Sequence, residues 1–127
     1  MTKEEYFLLH KELCERMQQI TKAKNSDYTG VNSDPFSNFT VVEQLGICST
    51  EQGFLTRMTD KLKRITSFVQ KGFLDVKDES VDDTLLDLAN YCLLFTGYLK
   101  AKRNDPNTII KIIPNHGYRE ELQDETN

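Results

Sequence analysis

Three carboxylates stand four residues apart in this 127-residue chain: Glu79, Asp83 and Asp87, with Asn90 three positions further on. Residues three or four apart share a helix face, so this spacing stacks like charges along one stripe. A divalent cation would relieve the repulsion. Mg²⁺ takes a few carboxylate oxygens and completes its shell with water and phosphate oxygens. Local explanations compete for the first two acids, which lie where a helix begins and where the dipole and capping favour carboxylates. Asp87 lies a full turn further in, among apolar residues, where an unpaired carboxylate is costly. Its alternative to a metal is a salt bridge to Arg57, Lys61 or Arg64.

A second wall for such a site comes from Arg57, Asp60, Lys61 and Arg64, spaced three, one and three. This pattern places the four on one broad helix face. Asp60 would add a metal ligand, and Lys61 or Arg64 would hold phosphate. The plain alternative is a solvated surface with weak internal ion pairs. Other chemistries find no support. His10 and His116 have no metal-ligand spacing, no Ser, His and Asp arrangement stands out, and there is no P-loop or GxGxxG.

These residues need helices to hold them. Thr2 and Glu5 form a capping-box pair, after which Tyr6, Leu9, Leu13, Met17 and Ile20 recur at helical spacing. The first helix is expected over about residues 3–23. Residues 24–38 are rich in turn formers and read as a long, ordered loop carrying Tyr28 and Phe36. A short helix over about 38–46 ends near Gly46. Ser49 and Gln52 cap a third helix, about 50–71, whose apolar stripe is read as Leu55, Met58, Leu62, Ile65 and Val69. Gly72 terminates it. Ser80 and Asp83 cap a fourth, about 80–103, apolar almost all round from Leu85 to Leu99 and therefore expected in the middle of a bundle. Thr108 to Ile113 reads as a short strand or extended docking segment. The whole chain is read as one all-α domain, with a core over about 3–103 and a C-terminal extension over 104–127 whose end is frayed.

Composition narrows the classes. A net charge of −4 argues against a nucleic-acid polymer as partner, because that affinity comes from clustered Lys and Arg. It leaves a nucleotide site open. Cys14, Cys48 and Cys92 form no CxxC motif, and Cys14 and Cys92 fall within apolar patterns, so buried thiols in a reducing compartment are expected. Met1-Thr2-Lys3-Glu4-Glu5 does not read as a signal peptide and no apolar run is long enough to span a membrane. A cytoplasmic protein is expected. The apolar Thr108 to Ile113 segment favours packing against a neighbour, hence a homo-oligomer.

Several motifs, taken together, resemble a known group. They are Lys24-x-x-Asp27-Tyr28, Asp34-Pro35-Phe36-x-Asn38-Phe39, Arg57-x-x-Asp60-Lys61-x-x-Arg64 and Glu79-Ser80-x-x-Asp83-Thr84-x-x-Asp87-Leu88-Ala89-Asn90-Tyr91. Over about residues 20–100 the chain resembles the phage and bacterial nucleotide modification associated domains, related to the MazG-like all-α nucleotide pyrophosphohydrolases. The resemblance implies a four-helix MazG-like bundle, usually within a homo-oligomer. It also implies Mg²⁺-dependent hydrolysis of a nucleoside triphosphate, with a deoxynucleotide the expected substrate, to a monophosphate and pyrophosphate. Carried onto this chain, the catalytic metal ligands are Asp60, Glu79, Asp83 and Asp87. Lys24, Lys61 and Arg64 are phosphate partners, and Tyr28, Phe36, Asn38, Phe39 and Asn90 contact base or sugar, with Asp27 and Tyr91 in the same motifs. MazG-like enzymes carry an ExxE pair where this chain reads Arg57-Met58-Thr59-Asp60. Fewer carboxylates there favour a second expectation, a non-catalytic nucleotide binder that sequesters its ligand or assists nucleotide modification.

Overall fold

The computed structural model describes residues 1–29, 34–73 and 80–104, and the side chains of all of these but 26–29. Four helices follow one another: α1 (Lys3–Thr29), α2 (Ser37–Gln44), α3 (Thr50–Lys71) and α4 (Val81–Asn104). Among the described residues there is no strand, and the architecture is an all-α bundle. The Thr108 to Ile113 segment and the rest of the C-terminal extension lie outside the described residues.

Helix ends follow local sequence closely. The Thr2 amide donates to Glu5 Oε2 at 2.7 Å and the Glu5 amide to Thr2 Oγ1 at 3.2 Å, closing the first capping box. Ser49 and Gln52 close a second, at 3.0 Å in both directions. Gly72 stops α3 at φ +83°, a conformation that costs a residue without a Cβ little. The one large boundary difference is in α1, which runs six residues past the expected end at 23, to Thr29. Residues 25–29 are weak helix formers, but none is Gly or Pro, so no breaker precedes Gly30 in the sequence.

The core is aromatic and lies where α2, α3 and α4 meet. Phe54 is fully buried. Its ring stacks on Phe39 at 4.0 Å between centroids and on Phe95 at 4.8 Å. Tyr91 meets Phe39 edge-on at 6.0 Å. Gly53 lets α2 come this close: a Cβ there would stand 3.0 Å from Val42 Cγ2. Buried polar groups are satisfied around the stack. The Thr50 hydroxyl donates to Glu43 Oε2 at 2.7 Å, and Lys102 pairs with Glu51 across α3 and α4.

Two packing expectations are corrected. The inward face of α3 is built on Thr50, Phe54 and Lys61; of the expected stripe Met58 and Ile65 are half-buried, while Leu55, Leu62 and Val69 point outward and are exposed. Phe54 fits the flat slot between Phe39 and Phe95, so α3 is rolled to put it there. Nor is α4 sheathed on all sides. Leu85 and Leu93 are exposed, and Cys14 and Cys92, expected to be buried, are exposed too. The reason is that α1 packs against α4 far less extensively than α3 does.

Candidate functional site

Asp87 is the centre of the site. Its side chain is only 18% exposed, and two lysines bracket it. Lys24 Nζ, from α1, lies 3.0 Å from Oδ1, and Lys61 Nζ, from α3, lies 3.5 Å from Oδ2. Lys61 is itself only 13% exposed, whereas Lys24 is 55% exposed. Three helices thus converge on one carboxylate. A buried acid needs such partners, and buried ammonium groups need the acid.

Around this ion cluster lies a small cleft of about 90 Å³. From α1 come Thr21, Lys24 and Asn25, and from the turn and α2 come Pro35, Asn38 and Phe39. Arg57 enters from α3, and Asp87, Asn90, Tyr91 and Leu94 from α4. The Arg57 guanidinium lies over the Phe39 ring, 5.7 Å from its centroid, and no carboxylate among the described residues pairs with it. Asn90 is buried, and its amide nitrogen donates to the Met17 carbonyl at 3.2 Å, pinning α4 to α1. Local turn chemistry sets Phe36: its amide donates to Asp34 Oδ1 at 2.9 Å. The ring then meets Tyr98 edge-on at 5.9 Å and packs over Gly97, where a Cβ would stand 3.3 Å away.

The structure gathers Lys24, Asn38, Phe39, Asp87, Asn90 and Tyr91 at the cleft, with Lys61 reaching it through Asp87. Phe36 lines an adjoining groove. Asp83 stands one turn away and takes Arg16 Nη2 at 2.7 Å. Asp60 and Arg64 do not line the cleft; they pair with each other at 3.6 Å, Asp60 exposed and Arg64 half-buried. Of the four residues read as one face, exposed Arg57 lines the cleft and Lys61 reaches it through Asp87, while Asp60 and Arg64 do neither. Asp87 does form a salt bridge with Lys61, but Arg57 and Arg64 are not its partners. Asp27 and Tyr28 fall on α1 with side chains outside the described set, and Glu79 lies outside the described residues.

Thr21, Asn25, Pro35 and Leu94 line the cleft without having been assigned to a site from sequence, and Arg57, read only as part of a second wall, lines it too. Thr21 and Asn25 flank Lys24 on one helix face, a signal that the early expected end of α1 hid. Arg57 was visible as a base, but its role depended on which way α3 rolls.

A Mg²⁺ ion asks for converging carboxylate oxygens. Here both oxygens of Asp87 face ammonium groups, and Asp83 and Asp60 each have an arginine. Among the described residues, no three His, Cys, Asp or Glu side chains gather to hold an ion. In this arrangement the lysines and arginines supply the positive charge beside Asp60, Asp83 and Asp87. What the arrangement can do is attract an anion: Lys24, Lys61 and Arg57 outnumber the one carboxylate between them. Among the described residues, no helix is long and apolar enough to cross a membrane.

No curated protein and no solved structure matches the chain. Residues 49–96 match the family model described as nucleotide modification associated domain 1, a stretch that spans α3 and most of α4 and carries Arg57, Lys61, Asp87, Asn90 and Tyr91.

Proposed function

We propose that this domain binds a nucleotide, with the phosphates drawn to Lys24, Arg57 and Lys61. The observation that carries this reading is the cation cluster around Asp87, set in a cleft lined by Phe39 and Tyr91. Lys24 is the exposed member, so an incoming phosphate competes with Asp87 for it at least cost. Arg57 offers a fork of donors suited to phosphate oxygens. The match of α3 and α4 to a nucleotide modification associated domain supports the same ligand class. A relation to the MazG-like bundle is part of this proposal.

Magnesium-dependent pyrophosphohydrolysis of a deoxynucleoside triphosphate is the second reading. It is favoured by Asp83 and Asp87 standing one turn apart on α4, in series with Glu79. One experiment separates the two. Purified protein is titrated with the four deoxynucleoside triphosphates in a calorimeter, with Mg²⁺ and with EDTA, and pyrophosphate is assayed in the same samples. Binding in both buffers without pyrophosphate is the expected result. Binding only with Mg²⁺, followed by pyrophosphate release, would establish the second reading, and no heat in either buffer would sink both.

Self-association belongs to the same proposal. Leu55, Leu62 and Val69 repeat every seven residues along the exposed side of α3, the spacing at which one helix seats against another. A two-fold pair of identical stripes is self-complementary. Light scattering is expected to give at least a dimer, and Leu62→Glu a monomer; a wild-type monomer would refute it.

A further inference from the structure

The cleft at Asp87 holds about 90 Å³. Ligand sites for drug-sized and cofactor-sized molecules occupy roughly 300–1,000 Å³, so the cleft takes only part of a nucleotide. It does not stand alone. Thr21, Asn25, Pro35, Asn90 and Leu94 line it and also line a wider groove of about 590 Å³ between α1 and α4. The two spaces therefore share a seam, with Asn90 fixed in it by its bond to Met17.

The two spaces differ in chemistry. Lys24 and Arg57 line the cleft, and the groove has neither Lys nor Arg. Met17, Phe36, Leu93, Leu94 and Gly97 make the groove apolar, and its one charged lining residue is Glu15. A carboxylate there repels phosphate and sets direction. Phe36 is a fixed wall, held by the Asp34 turn and by Tyr98. Leu93 is 61% exposed on the groove, an apolar surface without a covering partner among the described helices.

We infer that this groove is the subsite for the base and sugar of a nucleotide whose phosphates lie at Lys24 and Arg57. The inference rests on the nucleotide-binding reading and adds an orientation and a preference to it. The ligand enters with its phosphates toward α3 and its base between α1 and α4. The protein then discriminates nucleotides from bare polyphosphate, because only a nucleotide fills the groove.

Two cysteines provide the test. Cys14 is exposed and lines the groove, while Cys92 is exposed on α4 and does not line it. Alkylation by a maleimide is followed at each cysteine by peptide mass spectrometry, with each of the four deoxynucleoside triphosphates or inorganic tripolyphosphate present. Calorimetry on the same samples reports binding. With a bound nucleotide at ten times its dissociation constant, Cys14 is expected to react about ten-fold more slowly, with Cys92 unchanged. Tripolyphosphate is expected to protect neither. Leu93→Glu, on an exposed position that the fold tolerates, is expected to weaken nucleotide binding roughly ten-fold and to leave tripolyphosphate binding within about two-fold. Nucleotide binding with Cys14 unprotected and Leu93→Glu neutral would overturn the groove assignment and leave the nucleotide-binding reading standing. No binding of any nucleotide or of tripolyphosphate would overturn both.

Discussion

The two sides of α4 are built on different principles. Toward α2 and α3 it closes on stacked rings, with Phe54 fully buried between Phe39 and Phe95. Toward α1 it is held by polar ties, Asn90 to Met17, Asp83 to Arg16 and Asp87 to Lys24, and leaves an open apolar groove. The closed side is a rigid platform. The open side spends its contacts on charged and polar groups that a ligand can also use. Regions with few buried apolar contacts are the ones that open at least cost, and binding sites are drawn from them.

The largest expected effect breaks the closed side. Phe54→Ala should destabilise the domain by about 3–5 kcal/mol, the range for emptying a buried aromatic site. Leu93→Ala, on the open side, should change stability by no more than about 0.5 kcal/mol. Urea unfolding of both variants measures the contrast. Equal effects would mean that the groove side is as much core as the ring stack.

Asp87→Ala comes next. It leaves Lys61, only 13% exposed, without its acid, so a loss of roughly 1–3 kcal/mol is expected. Lys24→Met should cost far less, because Lys24 is exposed and Asp87 keeps Lys61. The same urea series ranks them, and the reverse order would show that Lys24 rather than Lys61 compensates the acid. Below these stands Ser49→Ala, which opens the α3 capping box and should cost about 1 kcal/mol.

The smallest effect is the pH dependence of the α3–α4 clamp. Burial pushes the Glu51 carboxyl up, but the Lys102 hydrogen bond and charge together with the helix amide outweigh it and hold it below its ordinary value of 4.5. A depressed carboxylate contributes stability that is present above its unfolded value and lost as pH falls through the folded one. Lys102 is held above its ordinary 10.5 by the hydrogen bond to Glu51, against burial. Its contribution is complete below the unfolded value and is lost as pH rises through the folded one. Wild type should therefore lose more stability than Glu51→Gln as pH drops below about 4.5, seen in melting temperatures across pH 3–6. Parallel curves would remove the clamp from the account.

How much of this was legible depended on range. The capping boxes at Thr2 and Ser49 and the stop at Gly72 involve neighbours in sequence, and each appears as read. The all-α class followed from the periodicity of α1, α3 and α4. The roll of α3 did not, because Leu55, Leu62 and Val69 form as good a stripe as Thr50, Phe54 and Lys61. Only the slot between Phe39 and Phe95 decides between them. That choice also brought Arg57 and Lys61 to the cleft and left Asp60 and Arg64 paired with each other away from it, dividing a set that sequence spacing had grouped. Asp87 and Asn90 were singled out because a polar group inside an apolar run needs a partner. Lys61 was among the partners read for Asp87; Lys24 and the Met17 carbonyl lie more than sixty residues from Asp87 and Asn90 and had to come from the fold.

The cations at the cleft carry the proposed nucleotide binding. Calorimetric titration of deoxynucleoside triphosphates into wild type and into a Lys24→Met, Arg57→Met double variant tests it directly. Wild type should bind at least one of the four, and the folded double variant should bind it at least about a hundred-fold more weakly, two charge-assisted contacts being lost. A double variant that binds as well as wild type would contradict the assignment.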